Sequence, residues 1–170
     1  MKKVGLIVGI AAVVIIIAGV ALWKYHEQPQ FCAICHIMQP YLESWESSPF
    51  LAQAHAEDNI TCLECHEPTI QQQVDELKAY VQGDFEVPLE ERKFPMEFCF
   101  GCHEPNEHTS YEEVIQRTEG LELNPHGSHI GEMECRICHK AHRASEDYCA
   151  QCHGPVATGL GWTTEVSPTT

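Results

Sequence analysis

The sequence predicts one N-terminal membrane-crossing helix. An exported region of short helices and irregular chain follows it, folded around bound groups rather than an aliphatic core. Three observations predict this. Residues 4–23 form one uncharged apolar run, the chain behind that run is poor in large aliphatic side chains, and ten cysteines stand among 170 residues. A domain of about 145 residues normally buries most of its unfolded surface in an apolar core. Here the material is short, and cysteine usage is far above average, so covalent or metal chemistry is expected to supply the interior.

The run VGLIVGIAAVVIIIAGVALW at 4–23 holds 20 residues without a charge. At about 1.5 Å per residue it covers roughly 30 Å, one hydrocarbon thickness. Lys2 and Lys3 precede it, and positive residues favour the cytoplasmic side, so residues 1–3 are expected inside and the rest outside. Trp23, Lys24 and Tyr25 suit an interfacial anchor. The alternative is a cleaved export signal, but such a signal has a shorter apolar core and a small-x-small cleavage site.

Ten basic and 25 acidic residues give a net charge of −15. Lys2, Lys3 and Lys24 flank the apolar run, which leaves seven basic residues and a charge of −18 beyond it. Such a surface repels nucleic acid and anionic lipid headgroups. A soluble partner would have to offer a basic patch.

Every cysteine falls in a Cys-x-x-Cys-His unit: Cys32, Cys35 and His36; Cys62, Cys65 and His66; Cys99, Cys102 and His103; Cys135, Cys138 and His139; Cys149, Cys152 and His153. This is the attachment signature of c-type haem, in which both thiols form thioethers and the histidine lies under the iron. Disulfides would not require a histidine after every second cysteine. Zinc sites built from pairs of such units would leave an odd fifth, and a thioredoxin-like site needs only one. Five covalent haems are expected, and these discs would fill the interior.

Six histidines remain: His26, His55, His108, His126, His129 and His142. His55 and His142 each lie seven residues before a following motif and His129 lies six before one, close enough to fold back over that motif's haem. His126, three residues before His129, can serve a second iron. Spacing therefore pairs His66 with His55, His103 with His126, His139 with His129, and His153 with His142, and leaves His26 and His108 as surface residues. The first motif differs, because it continues through Ile37 to Met38. A thioether ligand raises a haem's potential relative to two imidazoles. Met38, His26 or an open position remain alternatives there.

Residues 1–70 resemble the NapC/NirT family of membrane-anchored quinol dehydrogenases. The resemblance is carried by the single anchor, by Phe31-Cys32-Ala-Ile-Cys35-His36-Ile-Met38, by Trp45, Ser48 and His55, and by Thr61-Cys62-Leu-Glu-Cys65-His66-Glu-Pro68. It implies a first haem at the membrane surface beside a quinol site, with Met38 available as its axial ligand. Residues 55–153 resemble the tetrahaem domain of flavocytochromes c. His55, Pro125-His126-Gly-Ser-His129, Cys135-Arg-Ile-Cys138-His139-Lys-Ala-His142 and Tyr148-Cys149-Ala-Gln-Cys152-His153 carry that pattern, and its distal histidines coincide with the four assigned by spacing. Two departures stand out: five motifs where the anchored family usually has four, and a longer insert at 69–98.

Residues 69–83 place Val74, Leu77 and Val81 on one helical face ending at Gly83. The quinol-dehydrogenase resemblance implies a lysine and an acid near this helix, which selects Lys78 and Asp84; the alternative is an ordinary solvated helix face. Residues 84–95 read as a loop. The domain plan is residues 1–3 inside, 4–23 anchor, 24–154 pentahaem cytochrome c domain, and 155–170 a C-terminal tail, either flexible or a docking strap.

The expected function is oxidation of a membrane quinol, menaquinol foremost, with relay of electrons to an exported reductase. That reductase would be a flavoprotein or a nitrite-reductase-like multihaem enzyme, in assembly with this chain. A purely conductive cytochrome fed by another membrane complex is the alternative. A terminal reductase with an open haem is disfavoured, because four haems already have a second histidine.

Overall fold

The computed structural model describes residues 2–103, 110–157 and 159–167. His108, expected at the surface, lies outside them. The chain divides into two compact units, Met1–Glu43 with His55–Val87 and Ser44–Ala54 with Pro88–Thr170.

The first unit begins with α1, Lys2–His26, a 25-residue helix that is long and apolar enough to cross a membrane. Its apolar side chains are exposed all round; Ile15, for instance, is 71% exposed. Such a helix suits lipid, where every backbone group must be paired within the segment. The helix ends as Gln28 N–H bonds the Tyr25 carbonyl at 3.1 Å. The buried Pro29 then opens α2, Pro29–Cys32, using its fixed φ at the first helical position. A 3-10 turn at His36–Met38 leads into α3, Gln39–Glu46. After α4, Leu51–Glu57, and α5, Cys62–Cys65, the longest helix beyond α1 among the described residues is α6, Ile70–Gln82. Thr69 and Gln72 close a reciprocal capping box at its start, an arrangement worth about 1 kcal/mol. Gly83, at φ +72°, ends it in the left-handed conformation. Its bounds match the sequence expectation. Its apolar face, however, is exposed rather than packed.

The second unit holds α7, Met96–Phe100, and α8, Tyr111–Arg117. A two-stranded parallel ribbon pairs β1, Ser145–Glu146, with β2, Trp162–Thr163. Ser145 N–H donates to the Gly161 carbonyl at 2.7 Å and Asp147 N–H to the Thr163 carbonyl at 2.8 Å. Gly161 sits at φ +85°, and a Cβ there would lie 2.0 Å from the Pro49 carbonyl oxygen, so only glycine fits. Residues 159–163 are fastened back onto their own unit. The buried Asp147 holds the same segment, its carboxylate accepting from the N–H groups of Val156 and Ala157 at 2.6 and 3.0 Å. Glu146 is buried too. Burial alone would raise its pKa, but hydrogen bonds from Arg143 and Ser167 outweigh this and hold it below the ordinary 4.5.

The buried apolar residues among those described are Leu42, Ala52 and Met96, and no large side chain is fully buried. The aliphatic shortage seen in the sequence is therefore real in the fold, as expected of a chain that closes around large apolar cofactors.

Candidate haem centres

No disulfide joins any of the ten cysteines, and each motif occupies a short turn. In four of the five, the histidine N–H bonds the carbonyl of the first cysteine: His66 to Cys62 at 2.8 Å, His103 to Cys99 at 3.0 Å, His139 to Cys135 at 2.9 Å, and His153 to Cys149 at 2.9 Å. That bond closes one helical turn and sets the imidazole beside the two thiols. The first motif is built differently. Cys35 N–H reaches the Cys32 carbonyl at 3.4 Å, and Met38 N–H bonds the Cys35 carbonyl at 2.8 Å. The turn recloses on Met38, the residue that also sets this motif apart in sequence.

The histidine rings face one another in pairs. His126 and His139 lie 6.2 Å apart at 9° between planes, and His129 and His153 lie 5.8 Å apart. An iron bonded to two imidazole nitrogens at about 2 Å each would hold their ring centres roughly 6 Å apart. A cavity of about 400 Å³ is lined by Cys149, Cys152 and His153 of the last motif together with His129. Burial pushes the pKa of His126 down. It does the same to His139, with further lowering from the charges of His126 and His103. Both rings are thereby kept neutral, the form that ligates metal. Among the described residues, no three His, Cys, Asp or Glu side chains gather as a site for a bare ion. The donors come in facing pairs, and the residues fit haem.

The ring contacts bring His126 beside His139 and His129 beside His153. His103 is close enough for its charge to act on His139 as well, so the partners assigned by spacing stand in the same cluster. Local contacts hold two of these rings. Asn124 accepts from His126 N–H at 3.1 Å and donates to the Ile115 carbonyl at 2.7 Å. Thr118 Oγ1 lies 3.2 Å from His126 Nδ1. These contacts tie His126 to the end of α8, and His129, three residues on, reaches the next motif. His142 is held by Ser44, whose Oγ lies 2.7 Å from its Nδ1. A hydrogen bond on Nδ1 fixes the ring and leaves Nε2 for a metal. His55 and His66 are half-buried, at the ends of α4 and α5.

In the first unit, His36 Nδ1 lies 2.9 Å from Tyr80 Oη, and Met38 is half-buried. His26 is no simple surface residue. It is half-buried, with its ring 4.9 Å from Phe31 and 5.7 Å from Trp23. Its Nε2 lies 3.0 Å from Gln73 Oε1, its buried Nδ1 has no hydrogen-bond partner, and its charge acts on Cys32. Lys78 and Asp84 are exposed, on α6 and just past its cap, and no salt bridge joins them among the described residues.

The motifs also touch one another. The sulfur atoms of Cys32 and Cys62 lie within hydrogen-bonding reach of one another. Those of Cys99 and Cys135 do the same. Within each unit, then, two consecutive attachment sites stand side by side. Tyr80, Ser44, Thr118 and Trp162, whose ring lies 5.5 Å edge-on to His139, were not found from sequence. Ser44 stands 98 residues from the ring it holds, and nothing in the pattern announces it.

Residues 1–92 match the NapC/NirT cytochrome c family, N-terminal region, and residues 54–154 match cytochrome c3. The cytochrome c-type protein Cgr1 of Eggerthella lenta is 38% identical, over 96% of this chain and 88% of its own length. A shorter match, 36% identical over 55 residues, covers 32% of this chain and 8% of a Shewanella frigidimarina protein named "Probable fumarate reductase Ifc3". No solved structure matches. The apolar α1, the facing histidine pairs and these two spans together make the chain a single-pass membrane protein with covalently bound c-type haem, a member of the NapC/NirT cytochrome c family continued by a cytochrome c3 domain.

Proposed function

We propose that the chain oxidises a membrane quinol, menaquinol foremost, and relays the electrons through five covalent haems to an exported reductase. Its N-terminus lies inside and its haem domain outside. The observation that carries this reading is the placement of the first motif: α1 ends at His26 and Cys32 closes the next short helix. Nine residues of fully extended chain from Trp23 span at most about 30 Å. A quinol held in the bilayer therefore has this motif as its nearest acceptor.

Cys32 and Cys35 would hold the first haem, with His36 and Met38 as its candidate axial ligands. His66, His103, His139 and His153 would serve the other four as proximal ligands, and His55, His126, His129 and His142 as distal ones. Attached haem supplies one-electron iron chemistry. The rest falls to side chains. Quinol oxidation releases two protons, and Asp84 is placed to accept one while Lys78 orients a quinol oxygen. Tyr80, on the same helix as Lys78, holds the His36 ring.

Two measurements test the proposal. The intact mass of the mature protein should exceed that of the polypeptide by about 3 kDa for five haems; a gain equal to four overturns the count. The isolated full-length protein in vesicles should be reduced by a menaquinol analogue. Reduction by dithionite but not by the quinol would favour the conductive alternative.

A further inference from the structure

Four large apolar side chains of α6 have no packing partner to bury them. Ile70, Val74, Leu77 and Val81 are 74%, 53%, 57% and 75% exposed. At about 100° per residue they fall within an arc of roughly 60°, a single stripe along the helix. A soluble helix would turn such a stripe inward. Here the inward side is a different one, carrying Gln73 and Tyr80, and the two contacts those residues make are informative. Gln73 bonds His26, the last residue of the membrane-crossing helix, at 3.0 Å. Tyr80 bonds His36, ten residues further on, at 2.9 Å. Both ends of α6 are thus fastened to the chain segment that emerges from the bilayer, at the level of Trp23 and Tyr25.

We infer that α6 is a second membrane contact, lying in the headgroup region with Ile70, Val74, Leu77 and Val81 turned into the acyl chains. The occupant of the stripe is lipid. Continuity with α1 places the stripe at the interface, and a helix with a narrow apolar stripe and a polar remainder binds there. Asp75 and Glu76 lie on the opposite side, so attraction to anionic headgroups is not the driving force, and apolar burial is. The consequence for the quinol site is direct: Lys78 sits at the stripe's border, level with the region a quinol headgroup occupies.

The inference rests on reading α1 as the anchor, and the test separates the two. The haem-loaded full-length chain is placed in phosphatidylcholine vesicles containing a lipid with a diazirine on its acyl chain. After illumination, adducts are mapped by mass spectrometry. Adducts are expected on α1 and on residues 70–81, with none on α8. Leu77→Glu with Val81→Glu should lower the α6 yield at least about fivefold while leaving α1 labelling and the haem spectrum unchanged. Both side chains are exposed, so the fold should tolerate the exchange. Labelling of α1 without α6 overturns the inference, as does α6 labelling that the two glutamates leave intact. Absence of adducts from both helices overturns the anchor and the inference together.

Discussion

The first Cys-x-x-Cys-His unit and the four behind it share a sequence signature and differ in backbone. In the four, the histidine N–H closes the turn onto the first cysteine; in the first, the turn is carried on to Met38. The surroundings differ in parallel. His139 faces a second imidazole and has the edge of Trp162 against its ring, whereas His36 is exposed and is held by a tyrosine from the helix that carries Lys78. Identical attachment chemistry thus comes with two kinds of axial environment. On the proposed assignment the four would take paired imidazoles, and the first a softer thioether ligand that raises its potential.

The comparison breaks most visibly if the far pairs are wrong. His126→Ala and His139→Ala should each cost one haem its low-spin spectrum; if the facing rings serve one iron, the double variant should cost no more than one. The spacing-derived pairing requires two affected haems in the double variant. Electronic spectra and EPR signals of the single and double variants decide between them, and His129 with His153 form an independent second set.

A smaller effect sharpens the near side. If His36 Nε2 faces the iron, its Nδ1–H donates to Tyr80 Oη, which makes the imidazole more basic and favours the oxidised state. Tyr80→Phe removes about 1 kcal/mol of that preference and should raise one haem potential by roughly 40 mV. The other four should stay fixed in a spectroelectrochemical titration. Movement of several potentials would mean that Tyr80 acts on the fold rather than on this site.

The smallest effect concerns the exit. With −18 of charge beyond the anchor, oxidation by a cationic acceptor such as a ruthenium hexaammine should slow as salt rises, and oxidation by ferricyanide should quicken. Equal salt responses in stopped-flow traces would show that the acidic surface does not steer the acceptor.

Much of this was legible in the sequence. The anchor, the motifs and the bounds of α6 follow from apolar length, cysteine spacing and the Thr69 and Gly83 caps, all of which are local signals. The contacts of the histidine rings were not legible, because spacing can only propose the nearest fold-back. It says nothing of Asn124 and Thr118, which hold His126 against the end of α8. The exposure of the α6 stripe was hidden for the opposite reason. Periodicity identifies an apolar face and does not say whether protein or lipid covers it.

The central claim, that quinol electrons enter at the first motif, is tested most directly by Met38→Ala in the full-length, haem-loaded protein in vesicles. Rates of reduction by a menaquinol analogue and by dithionite are measured side by side against the parent chain. The account predicts that quinol-driven reduction falls at least about tenfold, while dithionite still reduces the other four haems at the parent rate. Quinol kinetics unchanged by Met38→Ala would place the entry point elsewhere and contradict the account.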